Sequence, residues 1–120
     1  MGLPNAGSRG QGFLENLVSG RAAYHSLHPG IGLCRLNAGQ QPGLALQIAP
    51  EALQAGQLER VLERRFEHAT VFDGCFVFLD ANGSLVIWHA LAPNGRSPDD
   101  ILSRLLSLAR LETLDVHRAP

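Results

Sequence analysis

Two cysteines and five histidines are the residues of this 120-residue chain best suited to chemistry. A thiol beside an imidazole can become a nucleophile, and three or four such side chains together can hold zinc. Spacing speaks against zinc: His25 and His28 lie one turn apart with Cys34 close behind, but His68, Cys75 and His89 are far along the chain, and neither cysteine has a second ligand beside it. Two cysteines make no disulfide framework, and Cys34 and Cys75 read better as small apolar core residues. A dyad of Cys75 and His89 is tested by hairpin register. A two-residue turn at Asn82-Gly83 pairs Ala81 with Ser84, Phe76 with His89 and Cys75 with Ala90, which sends the two side chains to opposite faces. Only a three- or five-residue loop would place them together. Asp73 and Asp80 flank the strand and read as turn polarity, and the glycines are scattered singly, without a phosphate-binding loop. No catalytic site, metal site or cofactor is expected.

The elements that would position such groups are clearest from Leu58 to Leu114. Leu58, Val61, Leu62 and Phe66 recur at helical steps, with Glu59, Arg60, Glu63, Arg64 and Glu67 on the other face, which predicts a helix over 57–68. Residues 72–79 and 85–91 are rich in aromatic and β-branched side chains and predict a hairpin about Asn82-Gly83. Ser97-Pro98-Asp99-Asp100 then offers an N-cap hydroxyl, a proline at the first helical position and acidic side chains for the helix dipole, ahead of the apolar stripe Ile101, Leu102, Leu105 and Leu108. Upstream, Phe13, Leu14, Leu17, Val18, Tyr24 and Leu27 follow helical spacing, with Gly20 as a weak point and His28-Pro29-Gly30 as the stop. Residues 31–36 and 44–49 read as strands joined by a hairpin loop. In the second, Leu44, Leu46 and Ile48 alternate with Ala45, Gln47 and Ala49. The predicted order is helix-strand-strand-helix-strand-strand-helix, an α+β fold with a twisted antiparallel sheet packed with helices.

Length fits one domain, and 45% hydrophobic against 18% charged residues is enough for a core. Residues 1–11 read as a flexible N-terminal segment and 12–118 as a single domain. With a net charge of -1 and no basic run, the electrostatic footprint of a nucleic-acid binder is missing. No apolar run is long enough to span a bilayer and the N-terminus lacks a secretory signal's hydrophobic core, so a cytoplasmic protein without membrane insertion is expected. In the register above, Phe76, Phe78, Ile87 and His89 share one hairpin face and Cys75, Val77, Leu79, Val86 and Trp88 the other. Both faces are apolar. One can pack on helices, and the other needs a cover: a partner polypeptide, a second copy, or a helix of the same subunit.

The chain resembles the class I chaperones of bacterial type III secretion systems, the family that includes the Tir chaperone, most clearly in its C-terminal half and more weakly over the first helix and the strands at 31–36 and 44–49, so that most of residues 13–114 take part. The residues that carry the resemblance are Val61-Leu62 with Phe66, Cys75-Phe76-Val77-Phe78-Leu79, Asp80-Ala81-Asn82-Gly83, Leu85-Val86-Ile87-Trp88, Ala90-Leu91-Ala92 and the helix from Ile101 to Leu111. The chain departs from the family pattern at Arg65, where an asparagine is common, and in having no visible strand at 51–57. The resemblance implies a cytoplasmic homodimer of the bacterial virulence machinery, without enzymatic activity, that holds the N-terminal segment of a secreted effector in extended form, with the secretion ATPase as a further partner. It points to effector binding through Leu14, Leu17, Val18, Leu33, Leu44, Leu46 and Ile48, in a groove between the first helix and the sheet. It points to a dimer interface of Leu58, Val61, Leu62, Phe76, Phe78 and Trp88. A regulatory or adaptor domain of the same fold that binds a non-effector protein is the alternative, and a small enzyme using Cys75 or His89 the third reading.

Overall fold

A computed structural model describes residues 6–92 and 95–114, with side chains from Gly12 onward. In chain order it comprises α1 (Ala6–Ser19), β1 (Tyr24–His28), β2 (Ile31–Ala38), β3 (Gln41–Ile48), α2 (Gln57–Glu67), β4 (Cys75–Leu79), β5 (Leu85–Ala90) and α3 (Pro98–Leu108), with single 3-10 turns at Pro50–Ala52 and Glu112–Leu114. The strands form one antiparallel sheet in the order β1-β2-β3-β5-β4. The α+β expectation holds. Residues 1–5 of the expected flexible segment and 115–118 of the expected domain lie outside the described residues, and α1 begins at Ala6.

One element differs in kind. The helix expected to run to Leu27 ends at Ser19, and Tyr24–His28 is a fifth strand at the sheet edge. Gly20, with φ at +87°, turns the chain out of the helix, and Arg35 N then donates to Ala23 O at 3.1 Å to begin the β1–β2 pairing. Tyr24 sits opposite Cys34 on the outer face while Leu27 packs on the core from the inner one, where helical spacing would have put both on one side. The third strand ahead of α2 is therefore at 24–28; the stretch after β3 holds only the 3-10 turn begun by Pro50.

The hairpin register also shifts by one from the expected pairing. Cys75 opposes His89, Phe76 opposes Trp88 and Leu79 opposes Leu85, so the connection is the five residues Asp80–Ser84. Asp80 is the cause. Its Oδ1 accepts from Asn82 N at 2.9 Å and Ser84 N at 3.0 Å, and its Oδ2 accepts from Gln47 Nε2 at 3.0 Å. A side chain that takes up the loop's backbone donors favours the wider turn over the two-residue one. Cys75, Val77, Leu85, Ile87 and His89 therefore share the inner face, and Phe76, Phe78, Val86 and Trp88 the outer.

The core lies between the inner face and the three helices. Leu33, Leu44, Leu46, Ile48, Leu85 and Ile87 from the sheet are buried against Leu14 and Leu17 of α1, Val61 of α2 and Ile101, Leu102, Leu105, Leu106 and Leu108 of α3. α3 carries the largest share, and Ser97 caps it by accepting from Asp100 N at 3.2 Å, with Pro98 following as foreseen. α2 is held largely by arginines: Arg64 Nε donates to Ser107 O at 3.1 Å and its guanidinium lies 5.1 Å from the Phe72 ring centre, while Arg65 Nε donates to Cys75 O at 2.9 Å.

Candidate functional site

No described helix covers the outer sheet face. Its small cluster contains only sheet residues, Ala45, Val86 and Trp88 flanked by Cys34 and Ala90. Two aromatic rings lie flat on this face over glycines. Tyr24 covers Gly32 and Trp88 covers Gly43, where an added Cβ would come within 2.2 Å and 2.3 Å of the respective rings. Trp88 is fixed by donating from Nε1 to Leu36 O at 2.7 Å and by a tilted contact with Phe76, ring centres 5.9 Å apart. Leu36, Asn37, Ala38, Phe76, Phe78 and Trp88 enclose a cleft of about 350 Å3 between the β2–β3 hairpin and β4. Apart from Trp88 Nε1, which is taken up by Leu36 O, Asn37 is the one side chain in that lining with polar atoms.

β4 is also an open edge. Asp80 N bonds toward β5 through Ser84 O, while Cys75 O bonds away from β5 to Arg65, so the alternation turns the backbone groups of Val77 and Leu79 outward. The strand reads Cys-Phe-Val-Phe-Leu, with no charge or proline to discourage pairing. Apolar side chains flank it on both sides. Phe76 is 59% and Phe78 42% exposed on the outer face, and Leu62, Phe66, Val71 and Leu79 are exposed around α2 and the strand ends, Phe66 at 84%. By contrast, the opposite edge, β1, carries two histidines and an irregular step between Ser26 and His28.

Of the residues foreseen for a partner groove, Leu14, Leu17, Leu33, Leu44, Leu46 and Ile48 are buried in the core. Val18 is half-buried, with its backbone oxygen accepting from Arg35 Nη1 at 2.8 Å. The space between α1 and the sheet is thus filled by the chain's own leucines. Of those foreseen for a dimer interface, Val61 is buried, Leu58 half-buried, Leu62, Phe76 and Phe78 exposed, and Trp88 forms the floor of the outer cleft. Leu36 on the outer face, and Val71 and Leu79 at the ends of the strand, are exposed as well and were not singled out as site residues from the sequence; their signal is visible only once register and edge are known.

Register also brings Cys75 and His89 opposite each other on the inner face, contrary to the expectation that they diverge. Burial pushes the Cys75 thiol up to about 11, outweighing the opposing pull of Arg65, so the sulfur is a neutral thiol at physiological pH. His89 Nδ1 bonds to Ala90 O at 2.8 Å, and its buried Nε2, close against Gly74, has no hydrogen-bond partner. Burial likewise raises the Cys34 thiol and lowers His25, whose ring stacks on Phe13 at 4.0 Å. Backbone hydrogen bonds, Ser84 first, hold the Asp80 carboxyl below the usual range. Among the described residues no three histidine, cysteine or acidic side chains gather as a metal site. No described helix is long and apolar enough to cross a membrane.

A family model described as HrpV-like matches residues 2–114. No curated protein matches the chain. Among solved structures, a chain of the heterodimeric complex ExoU-SpcU from the type III secretion system of Pseudomonas aeruginosa is 21% identical, with a TM-score of 0.49, covering 82% of this chain and 87% of that one.

Proposed function

The chain belongs to the HrpV-like family, and on that premise we propose that it is a polypeptide-binding protein of a type III secretion system, a chaperone that holds the N-terminal segment of a secreted effector in extended form. The observation that carries the reading is the concentration of exposed apolar side chains around β4. Leu36, Leu62, Phe66, Val71, Phe76, Phe78 and Leu79 expose a combined area of roughly 700 Å2, taking about 200 Å2 per side chain. A standard protein interface buries about 800 Å2 per partner, and apolar side chains clustered about an unpaired strand edge suit such contacts. The surface is of two kinds. An extended segment can pair with the free edge of β4 and seat a large apolar side chain in the cleft over Trp88. The stripe of Leu62 and Phe66 on α2 suits a second copy, giving the homodimer that the class I resemblance implies.

No step in this function needs bond chemistry, and a thiol held neutral by burial makes a poor nucleophile, so we assign no catalytic role to Cys75 or His89. Action in the cytoplasm and a handover to the secretion ATPase complete the reading. Co-expression with N-terminal segments of proteins secreted by the same system tests it: a stoichiometric complex that survives gel filtration is expected. Stable binding to a non-secreted protein and to no secreted one would assign the chain instead to regulation.

A further inference from the structure

We propose that the cavity between α2 and the end of α3 is a binding site for a small organic carboxylate, an acid group on an apolar body, recognised by Arg60 and Arg110. The cavity measures about 400 Å3, within the range of ligand pockets, and lies on the side of α2 turned away from the Leu62 and Phe66 stripe. Its base is apolar: Val61, Leu108 and Ala109 are buried there, with Leu111 half-buried beside them. Its polar groups converge from separate elements. Arg60 and Arg64, one turn apart on α2, line it together with Arg110, just past α3. Gln57, also in the lining, accepts from Gln54 N through Oε1 at 2.9 Å and keeps its amide nitrogen to donate.

Arg110 is the informative residue. With φ at +62° it is the only non-glycine residue at positive φ among the described residues. Leu111 N donates to Leu106 O at 2.8 Å and Arg110 N to Ser107 O at 3.1 Å, the pair of bonds that closes a helix through a left-handed residue, where glycine is the usual choice. A side chain at that position is strained, and strain of this kind gathers where a side chain meets a ligand. A second guanidinium is fixed at the same peptide. Ser107 O also accepts from Arg64 Nε at 3.1 Å, and Arg64 Nη2 donates to Ser107 Oγ at 3.3 Å. Arg60 Nη1 donates to Ala55 O at 3.1 Å. These partners are uncharged, and among the described residues the ion pairs are those of Arg96 and Arg104 with Asp100, so none of the three lining arginines has its charge matched. The carbonyl end of α3, which would repel an anion, is covered by the bonds to Leu106 O and Ser107 O. Three arginines against Glu63 and Glu67 in the lining leave one net positive charge, which suits a monocarboxylate better than a phosphate dianion.

Amide NMR titration of the full chain tests this, with phenylacetate as the probe and neutral phenylacetamide and inorganic phosphate as comparisons. Saturable shifts confined to residues 54–68 and 107–111 are expected for phenylacetate, with binding of either comparison at least about fivefold weaker. Arg110→Gly should weaken phenylacetate binding about three- to fivefold while raising Tm by about 2–6 °C, because the left-handed position suits glycine. An arginine that only closed the helix would leave binding unmoved. Arg60→Gln, at an exposed side chain, should weaken binding by a similar factor. Equal binding of the amide, undiminished binding by the Arg110→Gly protein, or no saturable shift would overturn the site. So would equal shifts around Arg21 and Arg35, which would mark a general attraction of anions to arginine. None of these readouts involves an effector or a second copy, so this site and the β4 surface can fail independently.

Discussion

Replacing Gly43 by alanine probes the outer cleft through a single methyl group. The new Cβ would lie 2.3 Å from Cε2 and Nε1 of Trp88, far inside contact distance, and β3 is paired on both sides, which leaves the backbone little room to retreat. The indole must move. Overpacking of this kind costs about 1–3 kcal/mol. The hydrogen bond from Nε1 to Leu36 O is lost, about 1 kcal/mol, and with it the Phe76 contact at about 0.5–1.5 kcal/mol. A net loss of about 2.5–5.5 kcal/mol follows, or roughly 10–22 °C in Tm for a domain of this size. Urea unfolding measures the stability, and emission from the chain's single tryptophan reports whether its environment becomes wetter. Gly12→Ala, a glycine with open space around it, serves as the control that should not destabilise. Stability within about 0.5 kcal/mol of wild type, with unchanged emission, would refute both the placement of Trp88 over Gly43 and the register that produces it.

Three further outcomes are expected. Phe66→Glu, at a side chain 84% exposed, should leave urea stability within about 0.5 kcal/mol yet shift light-scattering mass toward the monomer if α2 meets a second copy. Ser97→Ala should cost about 0.5–2 kcal/mol by removing the cap on the helix that carries most of the core, measured by thermal melting. The Cys75 thiol should resist alkylation in the native state at neutral pH. Because the native thiol keeps its proton to about 11 while the unfolded one loses it near 9.0, the unfolded state binds fewer protons between these values, and stability should fall as pH rises from 9 to 11; Cys75→Ala should remove that component in pH-dependent urea titrations.

The parts of the fold legible in the sequence were those with redundant signals. α3 announced itself through cap, proline, acidic first turn and stripe together, and β3 through clean alternation of Leu44, Leu46 and Ile48. β1 was hidden because Tyr24 and Leu27 satisfy helical spacing as well as their true places on opposite faces of a strand, and the glycine that ends α1 looked like a flaw within it. The register of β4 against β5 was misread because Asn82-Gly83 is a strong turn signal while the competing influence, the Asp80 carboxylate with Gln47 as a partner from β3, is a tertiary contact. That one-residue slip carried Ile87 and His89 to the helix side and gathered Phe76, Phe78 and Trp88 on the open face. Exposure itself was not legible: Leu33 and Phe76 are both apolar strand residues, and only the placement of three helices on one side of the sheet separates core from surface.

The central claim, that the apolar surface around β4 binds extended polypeptide, is tested most directly by calorimetric titration of the wild-type chain and the Phe76→Glu/Phe78→Glu variant with the N-terminal segment of an effector that co-purifies with it. Both side chains are exposed, so the variant should keep its fold by circular dichroism. Stoichiometric binding by the wild type, weakened at least about 100-fold in the variant as for two interface hot spots, is predicted. Equal affinity of the two folded proteins would contradict the account.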